Sequence, residues 1–143
     1  MHGHKIENQN ATHFLTFTVV GWIDVFTRDD YRKIIMDSFI YCQKEKGLCI
    51  NAYVIMSNHI HLICHVKEPF ILSEVIRDFK KFTSKAILDF ILMSEKESRK
   101  EWMIRLFKYY AKYNKNNKDY QFWQQDNKPI EYWICFISSV YEL

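Results

Sequence analysis

The chain has 143 residues, of which 48% are hydrophobic and 17% aromatic, and it contains only 3 Gly and 2 Pro. These values exclude a disordered or low-complexity protein, and they predict one domain over residues 1–143. Residues 1–10 show no regular pattern, and we expect this short segment to be disordered. Its 20 basic and 17 acidic side chains give a net charge of +3, too small by itself to indicate a nucleic-acid partner. The apolar stretches are too short to cross a bilayer and the N-terminus lacks the layout of a signal peptide, so we expect a cytoplasmic protein.

The first half of the chain predicts a strand, a helix and a hairpin. Residues 12–20 alternate β-branched and aromatic side chains, as a strand does. Apolar residues then recur at helical spacing over residues 28–46, after a segment from Thr27 that resembles a helix cap. Two short apolar runs, 50–56 and 59–66, are separated by turn residues and predict an antiparallel hairpin.

The second half predicts two helices and a last strand. From Leu72 to Phe90 apolar residues keep the i, i+3, i+4, i+7 spacing of a long amphipathic helix. A capping box at Ser98 precedes a shorter helix over residues 99–112, and residues 120–123 are expected to form the last strand. This element order favours an α+β fold, a ferredoxin-like antiparallel sheet with its helices packed on one face.

Two histidines stand out in the second strand of the hairpin. Side chains of a strand alternate between its faces, so His59 and His61 lie on the same face with Cα atoms about 7 Å apart, and two such imidazoles can share a metal ion. On spacing alone, ordinary surface histidines are the favoured interpretation, because His-x-His is a short and common string. His65 continues the row, but one further step along the strand separates it from the pair.

Basic residues mark the polar side of the long helix. Arg77, Lys81 and Lys85 stand four residues apart with Lys80 beside them, forming a stripe about 12 Å long that suits contact with successive phosphates. An ordinary solvated helix face explains the same pattern.

Other chemistry is disfavoured by what the sequence lacks. It has no Gly-rich phosphate loop, no Gly-x-Ser-x-Gly elbow and no His-Glu-x-x-His string, which argues against an NTPase, a serine hydrolase and a zinc protease. The 4 cysteines have neither zinc-site spacing nor the density of a disulfide scaffold, so we expect reduced thiols.

Four strings together resemble the REP-associated tyrosine transposases, a group of the single-domain His-hydrophobic-His transposase superfamily. In chain order they are Phe14–Trp22, Tyr53–Leu62, Asp78–Lys85 and Phe122–Glu131. This resemblance covers about residues 8–131. It favours a metal site at His59 and His61 over the interpretation that they are ordinary surface histidines.

The resemblance implies a DNA transposase that nicks and rejoins single-stranded or hairpin DNA through a 5′-phosphotyrosine. It assigns His59 and His61 as catalytic ligands of a divalent metal, Mg²⁺ or Mn²⁺, and it implies a homodimer. We further expect Arg77, Lys80, Lys81 and Lys85 to bind the DNA.

One departure from the family pattern concerns the nucleophile. The family carries its tyrosine in a string of the form Tyr-Ile-His-Asn-Asn-Pro, which this sequence lacks, and residues 132–143 form an atypical, apolar tail. Neither Tyr132 nor Tyr141 matches, so the nucleophile and the third metal ligand stay unassigned, and we expect a catalytically incomplete chain. The alternatives left open are a non-catalytic module that binds structured DNA and an interaction domain with incidental histidines.

Overall fold

A computed structural model describes residues 4–115 and 119–132 of the chain. Within them, four strands form one antiparallel sheet in the spatial order β2-β3-β1-β4. These strands are β1 (Thr12–Thr18), β2 (Leu48–Ile55), β3 (His59–Val66) and β4 (Ile130–Tyr132). The helices are α1 (Asp29–Glu45), α2 (Leu72–Met93) and α3 (Lys100–Ala111), with 3-10 turns at Val20–Trp22 and Val25–Thr27. The predicted α+β, ferredoxin-like fold is confirmed.

The two faces of the sheet have different neighbours. Leu62 of β3 lies opposite Leu15 of β1, and both side chains are buried under the helices together with Phe17. Phe79 of α2 packs between this sheet face and α1, with its ring 5.5 Å from Phe17 and stacked on Phe39 at 5.1 Å. Because side chains alternate along β3, its histidines project from the opposite face, as the sequence predicted.

The last strand lies later in the chain than the sequence indicates. Residues 120–123 were expected to form it, but Trp123 makes only an isolated bridge with Val19, and the strand is Ile130–Tyr132. Phe122 and Trp123 are neighbours and both buried, which a strand with one solvent face does not permit. The indole N–H of Trp123 instead donates to Thr83 Oγ1 at 3.0 Å and ties this segment to α2.

Two helix starts also differ from expectation. The N-cap residues of α1 and α3 are Arg28 and Arg99, and neither makes a side-chain capping bond. Thr27 donates its hydroxyl to the Asp24 carbonyl instead. The first turn of α1 does contain Asp29 and Asp30, and that of α3 contains Glu101, and such acidic side chains interact favourably with the positive end of a helix dipole.

Residues 4–10, where disorder was expected, contact the body of the domain. The Gln9 side-chain oxygen accepts bonds from the backbone N–H and the hydroxyl of Ser73 at the start of α2, each at 2.9 Å. The Asn10 amide donates to the Val66 carbonyl at 3.3 Å. Among the described residues, no helix is long and apolar enough to span a membrane.

Candidate metal and nucleic-acid site

The histidine pair is formed by the register of the two central strands. His59 lies opposite Thr18 and His61 opposite Thr16, so both rings stand on the sheet face opposite the one that the described helices cover. The ring centroids are 4.7 Å apart and the ring planes meet at 75°. Both side chains are half-buried, and the pair is therefore close enough to converge on one ion.

Hydrogen bonds at the Nδ1 atoms orient both rings. His59 Nδ1 lies 2.8 Å from the Asn58 side-chain oxygen, and His61 Nδ1 lies 3.1 Å from Thr16 Oγ1. In the tautomer in which each Nδ1–H donates, each Nε2 carries the free lone pair that a metal requires. Among the side chains of residues 4–115 and 119–131, neither Nε2 atom has a hydrogen-bond partner.

The surroundings of His61 favour its neutral imidazole. Burial, and to a lesser extent the charge of His59, lowers the pKa of His61. Phe14 stacks on the His61 ring at 5.1 Å, with 26° between the planes. Two imidazole nitrogen ligands on an oriented pair fit a divalent cation and suit Mn²⁺ better than Mg²⁺.

Neither a third ligand nor a nucleophile joins the pair in the part of the chain that the structure describes. No further His, Cys, Asp or Glu there completes a group of three. His65 lies opposite Cys49, nearer the far end of the strand, and its buried Nδ1 atom has no hydrogen-bond partner among the described residues. No tyrosine of residues 4–115 or 119–131 makes a hydrogen bond or ring contact with either histidine. The side chain of Tyr132 lies outside the described part of the structure. Tyr141 lies outside the described residues.

The basic stripe of α2 divides into exposed and enclosed members. Arg77, Lys81 and Lys85 are exposed. The Arg77 guanidinium pairs with Asp78 at 3.2 Å, and Lys85 pairs with Asp89 at 2.9 Å. Within the described part of the chain, the Lys81 ammonium has neither a hydrogen-bond nor an ion-pair partner.

Lys80 differs from these three in position and partners. Its ammonium donates to the Gln124 carbonyl and the Asn127 side-chain oxygen, both at 2.7 Å, and to the Gln125 carbonyl at 3.4 Å. Burial, opposed by the charge of Asp126, lowers the pKa of Lys80 to about 8. Lys80 thus fastens residues 124–127 to α2, whereas the sequence grouped it with the exposed stripe.

A groove runs between α2 and the segment that Lys80 fastens. Its volume is about 540 Å³, and Arg77, Lys81 and Ser84 line one side while Gln124 and Gln125 line the other. Basic and amide side chains facing each other across an open groove suit contact with phosphates and sugars.

Sequence reasoning missed the residues that orient the histidines. Asn58 was interpreted as a turn residue and Thr16 as one polar position of a strand. The only sequence signal for Asn58 was its place next to His59, and the role of Thr16 depends on pairing with a strand 45 residues later.

The fold is a ferredoxin-like α+β domain, and its paired histidines lie on the sheet face opposite the described helices. The family model described as "Transposase IS200 like" matches residues 15–128, and the chain belongs to this transposase family. A comparison with curated proteins gives no significant match.

Two solved structures are similar in fold. One is a REP-associated tyrosine transposase bound to a REP hairpin, with a TM-score of 0.59 and 16% identity over 98% of this chain and 68% of that one. The other is described as a transposase from Deinococcus radiodurans R1, with a TM-score of 0.54 and 12% identity over 99% of this chain and 94% of that one. The resemblance stated from the sequence is confirmed.

Proposed function

We propose that this transposase-family protein binds single-stranded DNA next to a hairpin and holds at His59 and His61 the divalent cation of a reaction that nicks and rejoins such DNA. Because no tyrosine matches the family's nucleophile string, we propose that this chain is catalytically incomplete by itself. The observation that carries the proposal is the oriented pair: two rings 4.7 Å apart, each held through Nδ1. A hairpin substrate is supported by the similar structure of a REP-associated tyrosine transposase bound to a REP hairpin.

In this proposal the Nε2 atoms of His59 and His61 hold Mg²⁺ or Mn²⁺. When bound, such a cation withdraws electron density from a phosphate oxygen and stabilises developing negative charge. Asn58 and Thr16 keep the two rings in the tautomer and orientation that present Nε2, so little reorganisation is needed when a phosphate arrives.

The basic side of α2 supplies the electrostatic attraction for DNA. Arg77, Lys81 and Lys85 are the exposed cations that we propose contact phosphates, while Lys80 acts indirectly by holding the opposite wall of the groove. Phosphate contacts position the strand and make its affinity fall as salt rises.

We propose a 5′-phosphotyrosine as the covalent intermediate, with no tyrosine assigned as its nucleophile. A phosphotyrosine conserves the energy of the broken phosphodiester bond for rejoining, which agrees with the absence of a phosphate loop from the sequence. A homodimer and a cytoplasmic location remain predictions from the family resemblance and the sequence.

The test measures Mn²⁺ binding and hairpin-DNA binding separately. His61→Ala should abolish Mn²⁺ binding followed by electron paramagnetic resonance, while His65→Ala, a matched change on the same strand face, should leave it intact. The proposal is wrong if His61→Ala binds Mn²⁺ as the wild type does. It is equally wrong if the wild type shows no salt-dependent affinity for a hairpin with a single-stranded flank.

A second candidate is a DNA-binding module without catalysis. It is favoured by the lack of a third metal ligand within residues 4–115 and 119–132. Nicking of a labelled hairpin oligonucleotide in Mn²⁺, with a protein adduct that survives SDS, would exclude this alternative.

A further inference from the structure

The turn that follows β1 has an unusual backbone. Gly21 has φ 64° and Trp22 has φ 55°, so two consecutive residues occupy the left-handed region. Glycine adopts this conformation readily, but a bulky residue such as tryptophan does so only where the surroundings enforce it. Strain of this kind is concentrated at functional sites.

Contacts from three directions hold this turn. The Trp22 N–H donates to the Val19 carbonyl at 3.1 Å, and the Trp22 carbonyl accepts a bond from the Asn58 amide at 3.3 Å. On the other side, Tyr110 of α3 lies against Gly21 so closely that a Cβ atom there would be 2.9 Å from its ring. These neighbours fix the backbone of the turn and leave the Trp22 side chain exposed to solvent.

The Trp22 indole is exposed although its backbone is fixed. The residue is 59% exposed, and its ring stands edge-on to His59 with the centroids 6.3 Å apart. That distance is less than two steps of about 3.4 Å, the spacing of successive nucleotides of one strand in duplex DNA. A rigid aromatic surface thus lies within the length of about two nucleotides of the histidine pair.

We propose that Trp22 is a stacking platform for a nucleobase of the DNA strand, one that adjoins the phosphate at His59 and His61. The indole offers a flat aromatic surface whose orientation is set before binding, and any base can stack on it. Asn58 connects the two parts of this site, because its amide group bonds both the Trp22 carbonyl and His59 Nδ1. This inference rests on the proposed DNA-binding function and adds a base contact to it.

The experiment is a two-by-two comparison of protein and ligand. Wild type and Trp22→Gly are titrated with an oligothymidylate of about 16 nucleotides and with a base-free sugar-phosphate oligomer of the same length. Glycine suits the left-handed backbone, so this variant removes the ring without straining the turn. We expect Trp22→Gly to weaken oligothymidylate binding roughly tenfold, the order of one lost base stack, and to leave base-free binding unchanged.

Two further variants separate stacking from other effects. Trp22→Phe keeps an aromatic ring and should restore most of the affinity, and Trp102→Ala removes another exposed tryptophan, on α3, and should change nothing. Equal affinities of wild type and Trp22→Gly for oligothymidylate would overturn the platform while leaving the proposed function intact. An equal loss on both oligomers would also overturn it, since Trp22 would then act on the backbone or on a protein surface. Failure of the wild type to bind either oligomer would also overturn the platform, whereas the proposed function is refuted only if a hairpin with a single-stranded flank is not bound either.

Discussion

Glu97, in the connection between α2 and α3, should contribute a large share of the stability of the domain. Its carboxylate accepts bonds from the Tyr31 hydroxyl at 2.6 Å and from Arg99 Nε at 3.0 Å, and it pairs with Arg28 Nε at 3.2 Å. The Glu97 side chain is only 1% exposed. A charge this deeply enclosed stabilises the fold only because all its partners are present.

The magnitude follows from the pKa of this carboxyl. Burial alone would raise the pKa of Glu97, but the bonds from Arg99 and Tyr31 outweigh it and lower the pKa from 4.5 to about 2. That difference corresponds to about 3 kcal/mol of folding free energy at neutral pH. Because the folded pKa is the lower one, this contribution is complete above pH 4.5 and is lost as the pH falls through about 2.

Urea unfolding of Glu97→Gln tests this reasoning. At pH 7 the free energy of unfolding should fall by about 3 kcal/mol, and the difference from wild type should narrow to about half near pH 3. The matched control is Asp37→Asn, which breaks an exposed ion pair with Lys33 and should cost at most about 0.5 kcal/mol. The reasoning is refuted if Glu97→Gln lowers the free energy of unfolding at pH 7 by no more than Asp37→Asn does. It is also refuted if the difference in this free energy between Glu97→Gln and the wild type does not narrow on acidification.

Three other changes test the remaining contacts. Lys80→Met should destabilise the domain by about 2 kcal/mol and speed hydrogen exchange at the Gln124 amide, which is bonded to the Thr18 carbonyl. Gly21→Ala should lower stability by about 1–2 kcal/mol in thermal unfolding, since its Cβ would meet Tyr110 at 2.9 Å in a left-handed backbone. Lys81→Ala should reduce the slope of log affinity for DNA against log salt by about 0.7–1, whereas a change at an exposed α1 lysine should not.

The sequence predicted those features that repeat locally. The alternation along β3 placed His59 and His61 on one face before any partner strand was known, and helical spacing identified α2. Such patterns arise because one side of each element must be buried, so a short stretch of chain contains the information.

Features that depend on distant segments could not be predicted in this way. Lys80 belongs by spacing to an exposed stripe, and only the return of residues 124–127 to α2 encloses its ammonium. The aromatic pair Phe122 and Trp123 looks like a strand because both residues favour strands, yet core space between α2 and α3 receives both rings. In each case tertiary contacts decided between two locally acceptable structures.

The two histidines are oriented by different parts of the molecule, and this has a consequence for the site. His61 is held from within the sheet by Thr16. His59 is held by residues of the loops. Arg99, the partner of Glu97, donates to the Asp24 carbonyl at 2.7 Å. The Asp24 carboxylate accepts a bond from the Asn58 amide at 3.3 Å. Asn58 in turn holds His59. We therefore expect a change at Glu97 that loosens the loops to shift the His59 ring relative to the His61 ring, although Glu97 and Arg99 make no hydrogen bond to either imidazole.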